Sequence, residues 1–214
     1  MTGAYDWSWV RQAAAISPVS LEMYSTMPED LSRMVEVVDG MIVLCESHTP
    51  DHQAIAQSLA NALGTAARGH DAARASCHRV RMELDVLLTE VPFHFRRPDV
   101  VVYRCLPDDR TGRWRRKPFA SDVLIAVEIV SDHTVSADTD EKRVVYAKAG
   151  IPNYWIVRMA DDDGPAISIE RLRLRADGRY VSEYVSFRSA DSLALAIIDP
   201  FEMKMTWEQL DEWL

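Results

Sequence analysis

The chain has 214 residues, 48% of them hydrophobic, enough for one domain with a substantial core. A net charge of -9 counts against a nonspecific nucleic-acid coat, because an acidic surface repels phosphate unless positive charge is gathered locally. Cys45, Cys77 and Cys105 are odd in number and form no CxxC pair, which argues against a disulfide framework or a thiolate zinc site and for a reducing cytoplasm. The longest apolar stretch, near "VLIAVEIV", is broken by Glu128 and falls far short of a membrane helix, and no basic head leads into an apolar run at the N-terminus. A soluble protein is expected.

Residues 1–30 read as a loosely organised lead-in, punctuated by Pro18 and Pro28 around a short helix over 21–27; residues 31–214 read as one domain. "RMVEVVDGMIVLCE" (33–46) is predicted to be a β-hairpin, since Asp39-Gly40 supplies the positive φ angles of a tight turn. Ile55, Leu59, Ala62, Leu63 and Ala66 then recur at steps of three and four, predicting an amphipathic helix over 51–68 with Gly69 as its left-handed cap. "CHRVRMELDVLL" reads as one strand and "RPDVVVYR" as another. The basic run "RTGRWRRK" (110–117) has two readings, a solvated loop or a phosphate contact through Arg113, Arg115, Arg116 and Lys117 with Trp114 as a stacking platform.

"VLIAVEIV" is apolar on both faces, as a central strand must be. Asp138 and Glu141 are spaced as N-cap and N3 of a helix closing at Gly150, with Pro152 beyond. "NYWIV" is a further strand, and "AISIERLRLRADGRYVSEYVSF" a C-terminal hairpin turning at Asp177-Gly178. Trp207, Leu210, Trp213 and Leu214 form a stripe on a terminal helix, suited to core or dimer packing. This order of elements predicts an α/β fold, a mixed sheet flanked by helices with an N-terminal and a C-terminal hairpin.

Glu128 lies in the middle of that central strand, on the face of Leu124, Ala126 and Val130, where an ionised carboxylate must be paired, neutral or bound to a cation. Asp99 opens the apolar strand after Pro98 and poses the same problem. Either acid alone could be solvated or salt-bridged at a strand end; two on adjacent apolar strands point to convergence. Lys142 heads the stripe Lys142, Val145, Tyr146, Ala149 that must pack on the sheet. Its ammonium has two readings, snorkelling into water or meeting Glu128. Glu36, central in "MVEVV", is a candidate fourth member. Two carboxylates and a lysine suit Mg²⁺ or Mn²⁺ and the hydrolysis of a phosphodiester. His48 and His52 stand four apart with Pro50 between them, which speaks against a shared helical face and a zinc pair.

"MVEVVDGMIV", "RPDVVVY" and "AVEIVSDHTVSADTDEKRVVYAKAGIPNYWIV", in that order, closely resemble the Uma-type restriction-endonuclease family of the PD-(D/E)XK nuclease superfamily. The resemblance runs from Met34 to the C-terminal region. It implies a restriction-endonuclease-like core, carboxylate-held divalent metal and nucleic acid as substrate, DNA being the expected form. By position Asp99 and Glu128 resemble the superfamily's metal-binding acids, Glu36 the acid of the first hairpin, and His52 a histidine common before the first long helix. The superfamily's lysine two residues after the glutamate is here Val130; members of this type carry it on the following helix, where Lys142 lies. Asp132 stands where the family commonly has proline. A rival reading is a catalytically silent binding or assembly module of the same fold. An exposed edge strand of either hairpin offers a route to a homodimer.

Overall fold

The computed structural model describes residues 18–45, 47–131 and 137–214. Ser20 starts helix α1 (Leu21–Ser25) by accepting from the Met23 amide, and α2 (Glu29–Ser32) follows Pro28. Val19, Tyr24, Met27 and Leu31 are buried, so the second half of the predicted lead-in contributes to the core. Strands β1 (Val35–Val38) and β2 (Met41–Leu44) pair across Asp39 and Gly40, with φ of 49° and 82°. Both angles are left-handed, as a twisted two-residue turn requires. A Cβ on Gly40 would also lie 2.3 Å from that of Pro18.

Helix α3 (Pro50–Arg74) is capped by Thr49, whose hydroxyl accepts from the His52 amide at 3.3 Å, with Pro50 in the first turn. It does not stop at the expected Gly69. A single interior glycine costs only about 1 kcal/mol, and the left-handed residue is Ala75. The segment read as one strand over 77–88 is two, β3 (His78–Met82) and β4 (Val86–Thr89), separated by Glu83 at φ 48°. They part because β3 pairs with β6 (Val100–Arg104), while β4 pairs with β5 (His94–Arg96), a strand the sequence reading did not contain.

Central strand β7 (Val123–Val130) leads to α4 (Ala137–Lys148), which closes at Gly150 (φ 81°), and then to β8 (Asn153–Met159). The expected capping box is displaced: α4 starts at Ala137, so Asp138 is inside its first turn, with a side chain outside the described residues, and Glu141 turns to Arg96. β9 (Ala166–Leu174) and β10 (Tyr180–Phe187) form the C-terminal hairpin, Gly178 having φ 78°. β11 (Leu193–Ile197), β12 (Met203–Thr206) and the one-turn helix α5 (Trp207–Leu210) complete the chain. Trp207 and Leu210 are buried, but Trp213 and Leu214 are 57% and 47% exposed, because the helix ends before them and the stripe does not form.

The main sheet has the order β10-β9-β8-β7-β6-β3, antiparallel except where α4 carries the chain from β7 to the parallel β8. A second sheet has the order β2-β1-β5-β4, and β11 pairs with β12. One face of the main sheet packs Val100, Val102, Ile125, Val127 and Ile129 against Ile55, Leu59 and Leu63 of α3. The other packs Val101, Ala126 and Ile156 with Tyr146 of α4. Strand β7 is buried up to its last residue, as its sequence requires. The predicted alternation fails only at its start. Val102 opposes Ile125 while Tyr103 opposes Val123, a bulge that sends Leu124 to the α3 side and Val123 to the other.

Cys77 and Cys105 form a disulfide, contrary to expectation. They are 28 residues apart in sequence, but the antiparallel pairing of β3 with β6 brings their Cα atoms to 5.3 Å. The cysteines therefore no longer point to a reducing compartment. Among the described residues no helix is long and apolar enough to cross a membrane.

Candidate active site

Val100 opposes Val127 in the pairing of β6 with β7, so Asp99 falls beside Glu128 at the end of the two strands. Both acids are buried, at 3% and 4% exposure. Asp99 is held by the Ile129 amide, which donates to Oδ2 at 2.6 Å. Glu128 is held from α4: Lys142 Nζ donates to Oε2 at 2.9 Å and the Tyr146 hydroxyl to Oε1 at 2.7 Å. One helical turn separates Lys142 from Tyr146, so a single face of α4 brings both donors to one carboxylate. Burial pushes the Glu128 carboxyl up to about 7; Lys142 opposes the rise and the charges of Asp99 and Glu36 add to it. Burial also raises Asp99, but hydrogen bonding and charge from His52, then His48, outweigh it and hold that carboxyl below its ordinary value.

The two histidines come from the start of α3. His52 Nε2 lies 3.3 Å from Asp99 Oδ2 and 3.2 Å from the Ile129 carbonyl, and His48 Nε2 lies 3.6 Å from Asp99 Oδ1. Pro50 does not separate them as the sequence reading assumed. It occupies the first helical position, leaving His48 just before the cap and His52 in the first turn, their rings stacked with centroids 4.0 Å apart. Burial lowers the His52 imidazole, yet Asp99 outweighs it and the net shift is upward; for His48 burial prevails and the shift is downward.

Glu36 lies nearby but is engaged otherwise. Its carboxylate accepts from Arg96 Nη1 at 2.9 Å and from the Arg97 amide at 2.6 Å, and Arg96, 2% exposed, also pairs with Glu141. The basic run splits. Lys117 pairs with Asp85, Arg113 donates to the Met27 carbonyl at 2.6 Å, and Arg115 and Arg116 are exposed. Trp114 is no stacking platform: it is 5% exposed in the core of the second sheet with Tyr24, Phe93 and Phe95. A cleft of about 560 Å³, lined by Arg33, Glu83, Asp85, Arg97, Arg113 and Lys117 among others, opens next to the site, Glu83 reaching within 4.0 Å of His48.

Sequence reasoning missed His48, Tyr146 and Arg96 as members of this neighbourhood. Tyr146 was visible as an apolar-stripe residue one turn from Lys142. Its hydroxyl was the overlooked signal.

A mixed sheet flanked by helices, with buried acids from neighbouring strands meeting a lysine of the crossover helix, places the chain in the restriction-endonuclease-like fold class. It belongs to the Uma2 family, described as putative restriction endonuclease, whose model matches residues 21–206. A crystal structure of a putative nuclease belonging to DUF820, from Anabaena variabilis, superposes with a TM-score of 0.63 at 16% identity, covering 92% of this chain and 99% of that one. None of the curated proteins matches the chain.

Proposed function

We propose that this protein is a divalent-metal-dependent endonuclease hydrolysing phosphodiester bonds in nucleic acid, with DNA as the substrate class and Mg²⁺ or Mn²⁺ held by Asp99 and Glu128. The observation that carries this reading is the pair of buried carboxylates side by side, with a lysine 2.9 Å from one of them. A cation suits the pair: each carboxylate oxygen has two lone pairs, so Glu128 can keep Lys142 and Tyr146 and still ligate. When bound, the metal supplies Lewis acidity and a more acidic water.

Lys142 is the group placed to orient the attacking water and to offset charge building on the phosphate oxygens. Tyr146 fixes the Glu128 carboxylate from the opposite oxygen. Glu36 acts by positioning, through Arg96 and the Arg97 amide. Arg115 and Arg116 meet the phosphate backbone outside the site.

The test incubates the purified protein with supercoiled plasmid, single-stranded DNA and RNA, with and without Mg²⁺ or Mn²⁺. Metal-dependent cleavage of DNA is expected, reduced about 10²-fold or more in Glu128→Gln. Absence of cleavage, or cleavage indifferent to that substitution, counts against the reading.

A further inference from the structure

His48 and His52 converge on Asp99, whereas Lys142 and Tyr146 bind Glu128. Their nitrogens and an Asp99 oxygen all lie within 4.8 Å of one another. Two donors about 2.1 Å from one tetrahedral ion stand about 3.4 Å apart; His52 Nε2 lies 3.3 Å from Asp99 Oδ2 and His48 Nε2 3.6 Å from Oδ1, so each carboxylate oxygen already has one imidazole near that spacing. The ring positions are set by the start of α3. Besides the Thr49 cap, the Thr49 hydroxyl donates to the Asp162 carbonyl at 2.6 Å, and the Gly164 amide donates to Asp51 at 2.6 Å. The segment carrying both histidines is thus clamped to the loop after β8.

We propose that His48, His52 and Asp99 form a transition-metal site selective for Zn²⁺ or Co²⁺ over Mg²⁺. Imidazole is a borderline ligand that suits these ions, whereas Mg²⁺ requires oxygen donors and sheds water reluctantly. Three protein ligands at one end of a strand pair, with His48 still 34% exposed, leave room for water or a phosphate oxygen in the fourth position. Binding takes the Nε2 lone pair of each ring: the proton that His52 Nε2 directs at Asp99 and the Ile129 carbonyl passes to solvent, and each bound ring carries one proton, on Nδ1. This inference adds a second cation site beside the one proposed for the nuclease and shares with that reading only the use of Asp99 as a ligand.

The test titrates the chelator-treated protein with Co²⁺, followed by visible absorption, and with Zn²⁺ and Mg²⁺ by calorimetry. One equivalent of Co²⁺ should bind with ligand-field bands, and Zn²⁺ should bind far more tightly than Mg²⁺. His48→Asn and His52→Asn should each weaken Zn²⁺ binding by about 10²-fold or more, while Glu128→Gln, which removes no ligand of this site, should weaken it far less. Circular dichroism controls for folding; His48→Asn, at the more exposed ring, keeps the test open if His52→Asn does not fold. Zn²⁺ binding that survives both histidine substitutions, equal affinity for Mg²⁺, or no binding at all overturns the site. Histidine-dependent Zn²⁺ binding without cleavage of any nucleic acid sinks only the nuclease reading. Mg²⁺-dependent cleavage at full rate in both histidine variants, with no histidine-dependent Zn²⁺ binding, sinks only the transition-metal site.

Discussion

At the scale of single residues, the buried charges around the site fall into two kinds. Glu128 and Asp99 crowd one another, so the Glu128 carboxyl is raised by burial and only partly relieved by Lys142. Glu36 instead has a full complement: Arg96 and the Arg97 amide bind both of its oxygens. A buried ion pair is costly to break from one side, about 3–5 kcal/mol, but often neutral to replace whole with apolar groups. Arg96→Ala is therefore expected to destabilise the protein by about that amount in urea denaturation. Because Glu141 is exposed, the stranded charge is Glu36, and the double variant Arg96→Met/Glu36→Leu should recover most of the loss. If the double variant is as unstable as the single one, Glu36 is not the partner that makes Arg96 necessary.

At the scale of elements, what could be read from the chain was what local chemistry dictates. Asp39-Gly40 announces its hairpin because two consecutive left-handed residues have few other uses. β7 shows itself as central because both faces are apolar, and the same apolarity makes Glu128 conspicuous. What could not be read depends on partners far along the chain. The break at Glu83 exists because β3 and β4 belong to different sheets, and the Cys77–Cys105 bridge exists because β3 lies against β6. A proline between two histidines reads in sequence as a separator, whereas at the first position of a helix it is compatible with both sides. The end of α3 is not legible for a related reason: its anchor is tertiary. Asp71 accepts from the Ser76 hydroxyl at 2.8 Å, the His78 amide at 2.7 Å and His78 Nδ1 at 2.6 Å, tying α3 to β3. Burial raises the Asp71 carboxyl, but the His78 and Ser76 bonds together outweigh it and the net shift is downward. A depressed carboxyl stabilises the fold above its unfolded value, about 3.9, and ceases to do so as pH falls through the lower folded value. Asp71→Asn should therefore lower the thermal midpoint by about 2–4 °C at neutral pH, with the gap closing in acid below about pH 3.9. A gap of the same size at both ends of that range would show that the carboxylate charge is not what ties the helix down.

At the scale of the whole molecule, the net charge of -9 works against any polyanionic substrate. The dense basic run offsets it less than its composition promises. Arg110 pairs with Asp122 just before β7, Lys117 with Asp85, and Arg113 donates to the Met27 carbonyl, so these three cations hold the loop to the body of the protein. Arg115 and Arg116 are exposed and are the pair of that run free to face a phosphate backbone. Each phosphate neutralised on a duplex contributes close to one unit to the slope of log affinity against log salt. Arg115→Gln/Arg116→Gln is accordingly expected to flatten that slope by about 2, measured by fluorescence anisotropy of a labelled duplex in chelator so that no cleavage intervenes. Because both side chains lie on the surface, stability should change by no more than about 0.5 kcal/mol. Lys117→Gln should do the reverse: it removes one of the two cations on the 4% exposed carboxylate of Asp85, which keeps Arg97 and the Tyr24 hydroxyl, so it should cost modest stability while leaving the slope nearly intact. A slope unmoved by the double substitution would place the nucleic acid elsewhere on this surface, away from the basic loop.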